Sequence, residues 1–296
     1  MRKVVFLTLA MMTLVCGYLF AAEALQYFNV YKPTEGMTAD DIMRIKYFNK
    51  YTLFLHDVAY TGKAYFIDKS GAIRERATAR KRINLGRGSD GIAYKDLTLF
   101  TAPTQVKGLA NLSWTYLDPQ RQQDVWLWLP SLKKIKKISA SAADDSFLGS
   151  DFTVEDITTR RFDDETYKLV KEENFTGFTS KFSNKTYYKD EPCFVIEATP
   201  KRANWYYVKR LIWIDKKYGT NIYEEKYDAK GQKFQYIFRW CEIHSVDGKE
   251  YPVQMFLEGE DLRSGNSTVI VNETVDIDKG LTEEEFTESA LSRSRW

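Results

Sequence analysis

The chain has 296 residues, enough for one large domain with a sizeable core or two small ones. Its 43 basic and 41 acidic residues nearly balance, so no overall field draws it to nucleic acid. The 19 Tyr, 18 Phe and 7 Trp favour strands and supply rings for pocket walls.

Residues 1–24 read as a secretory signal. Arg2 and Lys3 are its positive start, Val4 to Val15 its apolar run, and Ala22-Glu23-Ala24 its small-residue cleavage pattern. A cut after Ala24 leaves one domain over residues 25–296, released beyond the inner membrane. Anchoring through a lipid on Cys16 is the alternative, but Thr13-Leu14-Val15 lacks a small residue directly before it. No later run reaches the roughly 18 apolar residues of a spanning helix. Cys193 and Cys241 then remain as a candidate disulfide in an oxidising compartment. The other reading is two buried free thiols, since both fall in predicted strands several hairpins apart.

After a lead-in segment at Asn29 to Gly36, Thr38 caps a helix with Asp40 and Asp41 in its first turn. Ile42, Met43, Ile45 and Phe48 give that helix an apolar side, and it ends near Asn49 as a plug for a curled sheet. Strands are predicted from Tyr51 onward. Ile73, Ala77, Ala79 and Ile83 alternate with Arg74, Arg76, Arg80 and Arg82, a half-buried antiparallel strand with a basic outer face. Those arginines are either a solvated surface or an attraction for anionic headgroups. Residues 86–91 match G-x-G-x-x-G literally, but a strand pattern follows where a dinucleotide site needs a helix, so they are a hairpin turn.

A strand at Leu112 to Tyr116 and a turn at Asp118-Pro119 lead into the most informative block, residues 124–156. An aromatic strand over Val125 to Leu129 meets Pro130, then Lys133, Lys134, Lys136 and Lys137, then Asp144-Asp145 and Ser146-Phe147-Leu148-Gly149-Ser150-Asp151-Phe152. The lysines are a contact for a headgroup or an acidic partner, a solvated edge, or a guard against edge-to-edge pairing. The aspartates read as turn and capping residues. Residues 160–171 read as a short helix or an exposed strand. The remainder is a meander: strands around Phe194, Trp205 to Asp215 and Ile222 to Tyr227, then Phe234, Tyr236, Phe238 and Trp240 on one face alternating with Gln235, Ile237, Arg239 and Cys241. Asp247-Gly248 marks another hairpin, and Thr282 with Glu285 opens a final helix.

Two stretches in that block, W-L-x-L-P-S-L-x-K-I-x-K-I-S and D-D-S-F-x-G-S-D-F-T, resemble the signature of LolA-like outer-membrane lipoprotein-sorting proteins of Gram-negative bacteria. The resemblance runs from about Tyr31 to the C-terminus. It implies a periplasmic carrier with an incomplete β-barrel and an apolar cavity for the acyl chains of a lipoprotein or lipid. It also implies a donor at the inner membrane, an ABC-type or RND/MMPL-type export complex, and an outer-membrane acceptor. The chain is longer than the compact carriers, which leaves room for a bulkier lipid.

The expected fold is mainly β (α+β), a large curled antiparallel sheet with one or two plug helices. Trp126, Trp128, Leu132, Ile135, Phe147, Leu148 and Phe152 are candidate lipid contacts, with core packing as the other reading. No catalytic motif, metal-ligand spacing or cofactor site is legible; His56 and His244 are the sole histidines. The expectation is a non-enzymatic carrier. A docking adaptor of the envelope is the alternative, and a hydrolase with acids converging from distant strands is a third reading.

Overall fold

The computed structural model describes residues 25–88, 90–138, 144–158 and 160–293. The expected signal segment and Cys16 lie outside the described residues. Thirteen strands form one antiparallel sheet. Helix α1 (Ala39–Lys50) precedes β1 (Asp57–Ile67), β2 (Ile73–Asn84), β3 (Ile92–Ala102), β4 (Ala110–Tyr116), β5 (Asp124–Leu129) and β6 (Lys134–Ile138). After the short helix α2 (Val154–Ile157) come β7 (Glu165–Phe175), a separate small hairpin of β8 (Phe178–Thr179) and β9 (Thr186–Tyr187), and β10 (Glu191–Pro200). Strands β11 (Lys209–Asp215), β12 (Asn221–Tyr227), β13 (Lys233–Val246), β14 (Lys249–Asp261) and β15 (Asn266–Ile277) follow, then α3 (Glu288–Arg293).

The spatial order is β6-β5-β4-β3-β2-β1-β15-β14-β13-β12-β11-β10-β7. Two hairpin meanders are joined where β1 pairs antiparallel with β15, from Val58 opposite Ile277 to Ile67 opposite Ser267. The outer strands β6 and β7 do not pair, so the sheet curls without closing into a barrel.

Both faces are covered. On the concave face, α1 packs Ile42, Met43 and Phe48 against Val58, Ile196 and Ile212. Thr38 caps it as expected: the Asp41 N–H donates to Thr38 Oγ1 at 3.2 Å, and the Thr38 N–H donates to Asp41 Oδ2 at 3.1 Å. On the convex face, Phe286 and Leu291 from the C-terminal segment pack on Leu97, Leu112 and Trp126. The Trp114 Nε1–H donates to the Phe286 carbonyl at 2.9 Å and pins that segment. The β8–β9 hairpin covers the other half of the convex face, with Phe178 stacked on Phe238 at 4.2 Å.

Some boundaries differ from the sequence reading. Tyr51 to Phe54 form buried turns, not the start of a strand, because α1 must reverse inside the sheet before β1 begins. Trp205 to Val208 precede β11 rather than belonging to it. The final helix is shorter than expected: Glu283–Phe286 is a single 3-10 turn ahead of α3.

Cys193 and Cys241 are free thiols, which corrects the candidate disulfide. They lie on β10 and β13, with β11 and β12 between. Three strand spacings amount to about 14 Å, well beyond the reach of a bridge. Burial raises both thiols to about 12.

Candidate functional site

The concave face is the polar one. Strand alternation puts Leu97 and Leu99 of β3 on the convex side, under the C-terminal segment, and Asp96, Thr98 and Phe100 inside. Likewise Tyr236 and Phe238 of β13 lie beneath the β8–β9 hairpin, while Arg239 and Cys241 face inward. The alternation in β2 predicts an outward arginine face. Instead, Arg80 and Arg82 line the interior, and Arg82 is almost fully buried.

Asp96 holds those two arginines. Arg80 donates to Asp96 Oδ1 through Nε at 2.9 Å and to Oδ2 through Nη2 at 2.7 Å, while Arg82 Nε donates to Oδ2 at 2.7 Å. Burial alone would raise the Asp96 carboxyl; the paired guanidiniums outweigh it and bring it to about 2.

Strands β6 and β7 lie at opposite open edges of the sheet, and residues 144–158 between them run across the interior. The Leu148 carbonyl accepts from Arg76 Nη1 of β2 at 2.9 Å. The Asp151 N–H donates to Thr268 Oγ1 of β15 at 3.0 Å, and the Asp151 carbonyl accepts from Gln235 Nε2 of β13 at 2.7 Å. Phe152 sinks between Ile237 and Leu257, over Gly259. Asp156 takes Lys226 Nζ at 2.6 Å and Arg160 Nη2 at 3.2 Å, all in the interior. The Arg160 N–H donates to the Tyr51 hydroxyl at 2.8 Å, tying the end of the crossing to the turn after α1. The sequence suggests a turn role for Asp151 and none for Asp156, whose ion pair with a lysine 70 residues away has no local signal.

Beyond Arg160, Glu165 is enclosed by Arg210 (Nη2 to Oε2, 2.5 Å; Nε to Oε1, 2.9 Å) and by the Tyr207 hydroxyl at 2.8 Å. Burial raises its carboxyl, and Arg210 and Arg160 outweigh that to bring it to about 2. Arg210 also reaches Glu224 at 3.3 Å, and Arg239 reaches the same oxygen at 3.2 Å.

Two cavities flank the crossing among the described residues. One, about 160 Å³, lies between α1 and β1–β4 with β13–β15. Its end beside α1 is charged (Lys50, Arg82, Asp96, Arg239), and its far end is apolar (Ala64, Phe66, Phe100, Ile270). The other, about 510 Å³, lies at the open side between Val125 and Ile138 on one edge and Trp205 and Tyr207 on the other. Phe147 and Leu148 line both, so the crossing stands between them. The larger cavity is in the size range of small-molecule sites, and the smaller one is below it.

The sequence-chosen aromatic and aliphatic residues do not gather in one place. Phe147 and Leu148 line the cavities. Phe152 is buried as the anchor of the crossing. Trp126, Trp128 and Ile135 pack on the convex side with the C-terminal segment, and Leu132 is exposed in the β5–β6 turn. Lys134, Lys136 and Lys137 lie on the edge strand β6, and Lys133 in the turn before it. Lys137 pairs with Asp124 at 2.6 Å. This places lysines where an unpaired strand edge would otherwise template aggregation. Lys50, Arg82 and Arg239 were missed as site residues. An inward charge and an outward one leave the same alternating pattern.

A family model described as "Uncharacterized protein" matches residues 93–293. No curated protein matches the chain. Among solved structures, one described as an outer membrane lipoprotein-sorting protein domain from Vibrio parahaemolyticus is 24% identical, with a TM-score of 0.66 over 80% of this chain and 92% of that one. A DUF1329 family protein from Desulfovibrio piger is 24% identical, with a TM-score of 0.70 over 86% and 99%. A LolA superfamily protein from Nitrosomonas europaea is 18% identical, with a TM-score of 0.58 over 86% and 100%. The large open curled sheet is thus LolA-like. No helix among the described residues is long and apolar enough to cross a membrane.

Proposed function

The chain belongs to the family of uncharacterized proteins whose model covers its residues 93–293, and on the premise of its LolA-like fold we propose that it is a periplasmic carrier of lipid or lipoprotein acyl chains. In this reading residues 25–296 form one carrier domain, released after cleavage behind Ala24. The observation that carries it is the amphipathic interior of an unclosed sheet, with its mouth at the open edges and one chain crossing between mouth and interior.

An acyl chain entering at Val125 and Trp205 meets Phe147 and Leu148 first, then Phe100, Phe66 and Ile270. Each methylene withdrawn from water there contributes about 0.8 kcal/mol. The smaller cavity does not hold a long chain as it stands, so loading displaces Phe147 and Leu148. That displacement limits affinity, and a carrier needs limited affinity to release its cargo. The donor is an inner-membrane export complex of RND/MMPL or ABC type and the acceptor an outer-membrane component, with the exposed lysine edge of β6 as the docking side.

Native mass spectrometry of the chain purified from a Gram-negative periplasm, with organic extraction of bound material, tests the carrier reading. A co-purifying phospholipid or acylated peptide is expected. A bare protein mass that persists after incubation with lipids and an acylated lipoprotein would overturn it.

A further inference from the structure

Two lysines of α1 point into the fold without an anion. Lys46 is 1% exposed, and its ammonium lies 4.0 Å from the Tyr47 ring centroid. Lys50, one turn on, lines the smaller cavity, with its ammonium 5.1 Å from the Tyr51 ring centroid. Among the described residues no carboxylate forms an ion pair with either. The nearby acids already hold other cations: Glu224 Oε2 takes Arg210 and Arg239 while its Oε1 has no donor, Asp156 takes Lys226 and Arg160, and Asp96 takes Arg80 and Arg82. Burial, then the neighbouring cations Arg210 and Lys46 respectively, lowers Lys46 and Lys50 below the ordinary lysine range.

Beside these lysines, Asn49 Oδ1 and Asn221 Oδ1 are buried with no donor, and both residues line the same cavity. A buried cation excess beside unfilled acceptors is costly unless something occupies it. The polarity also has a direction along the strands. Val58, opposite Arg82, lies at the charged end of β1, while Ala64 and Phe66 lie at its apolar end towards Leu148.

Resting on the carrier reading and deepening it, we propose that the cavity takes an amphiphile head-first: an acidic headgroup, carboxylate or phosphate, sits against Lys50 with Arg239 beside it. The tail runs past Ala64, Phe66 and Ile270 towards Phe147 and Leu148. An anion there restores the ammonium form that burial disfavours, and its hydroxyls, where present, donate to Asn49 and Asn221. A neutral head finds no compensation for the cations it covers.

Calorimetric titration of the delipidated chain with palmitate, 1-palmitoyl lysophosphatidate and neutral 1-monopalmitoylglycerol tests this. At least one acid is expected to bind tighter than the neutral ester by about tenfold to a hundredfold, the size of a charge-assisted hydrogen bond. Palmitate against lysophosphatidate separates carboxylate from phosphate. Lys50→Met is expected to erase the preference while the ester still binds, and Lys50→Arg to keep it. Equal affinity for acid and ester, or an unchanged preference in Lys50→Met, overturns head-first binding and leaves the carrier reading standing. Inorganic phosphate binding as tightly as the acids assigns the site to a free anion and overturns the proposal. If no amphiphile binds, the carrier reading falls with it.

Discussion

Phe152 lies over Gly259, so closely that a Cβ added at Gly259 would collide with the phenyl ring. This contact fixes the interior crossing to β14 and makes the two positions interdependent. Gly259→Ala is expected to lower stability by about 1–3 kcal/mol by overpacking. Phe152→Ala should cost about 3–5 kcal/mol. In the Phe152→Ala background, Gly259→Ala should cost far less, because its collision partner is gone. Urea denaturation of the four chains measures the coupling.

Glu165 and Arg210 are both fully buried, and each would lose its shortest charged contact without the other. Glu165→Gln keeps the shape and removes the charge. It should destabilise by about 3–5 kcal/mol, the cost of breaking a buried pair from one side. Substituting exposed Lys32, paired with Glu250 at the surface, should change stability by less than about 1 kcal/mol.

The same groups set the acid limit. Glu165 and Asp96 fall from ordinary values of 4.5 and 3.8 to about 2 in the folded chain. A depressed carboxyl stabilises the fold above its ordinary value, and that stabilisation is lost as pH falls towards the folded value. Stability should therefore drop between about pH 4.5 and 2, where these carboxylates protonate. Asp215 and Glu258, raised mainly by burial, act in the opposite sense. Denaturation midpoints across that window would show the loss; a flat profile would contradict the network.

The thiols give a chemical check. With both pushed up to about 12 by burial, Cys193 and Cys241 should alkylate slowly in the folded protein and rapidly once unfolded without reductant. A chain that takes no label at these positions after unfolding would mean they are bridged.

Much of this architecture is legible in the sequence because it is local. Turns such as Asp247-Gly248 and the Thr38 cap with Asp41 are written in adjacent residues, and they gave the meander and the plug helix. The handedness of burial is not local. Alternation in β2 and β13 separates two faces without saying which is concave, and here both are covered. The aromatic row of Tyr236 and Phe238 suggests an inside, yet the β8–β9 hairpin makes it the outer layer. Arg80 and Arg82 suggest a wet outside, yet both pair with Asp96 within. The pairing of β1 with β15, and the anchors of the crossing, join residues too far apart in sequence to leave a pattern.

This division predicts different outcomes for two signature residues. Trp126→Ala should cost about 3–5 kcal/mol by opening the convex layer against Phe286 and Leu291, with little effect on lipid affinity. Leu148→Gln should weaken lipid binding and leave stability nearly unchanged. Paired denaturation and binding titrations separate the two.

The most direct test is to map a photoactivatable long-chain fatty acid bound to the delipidated chain by peptide mass spectrometry after illumination. Label on the peptides carrying Phe66, Phe147-Leu148 and Ile270 is the predicted result. Label confined to Trp126, Trp128 and Leu132 would put the lipid on the opposite side of the sheet and contradict an interior carrier site.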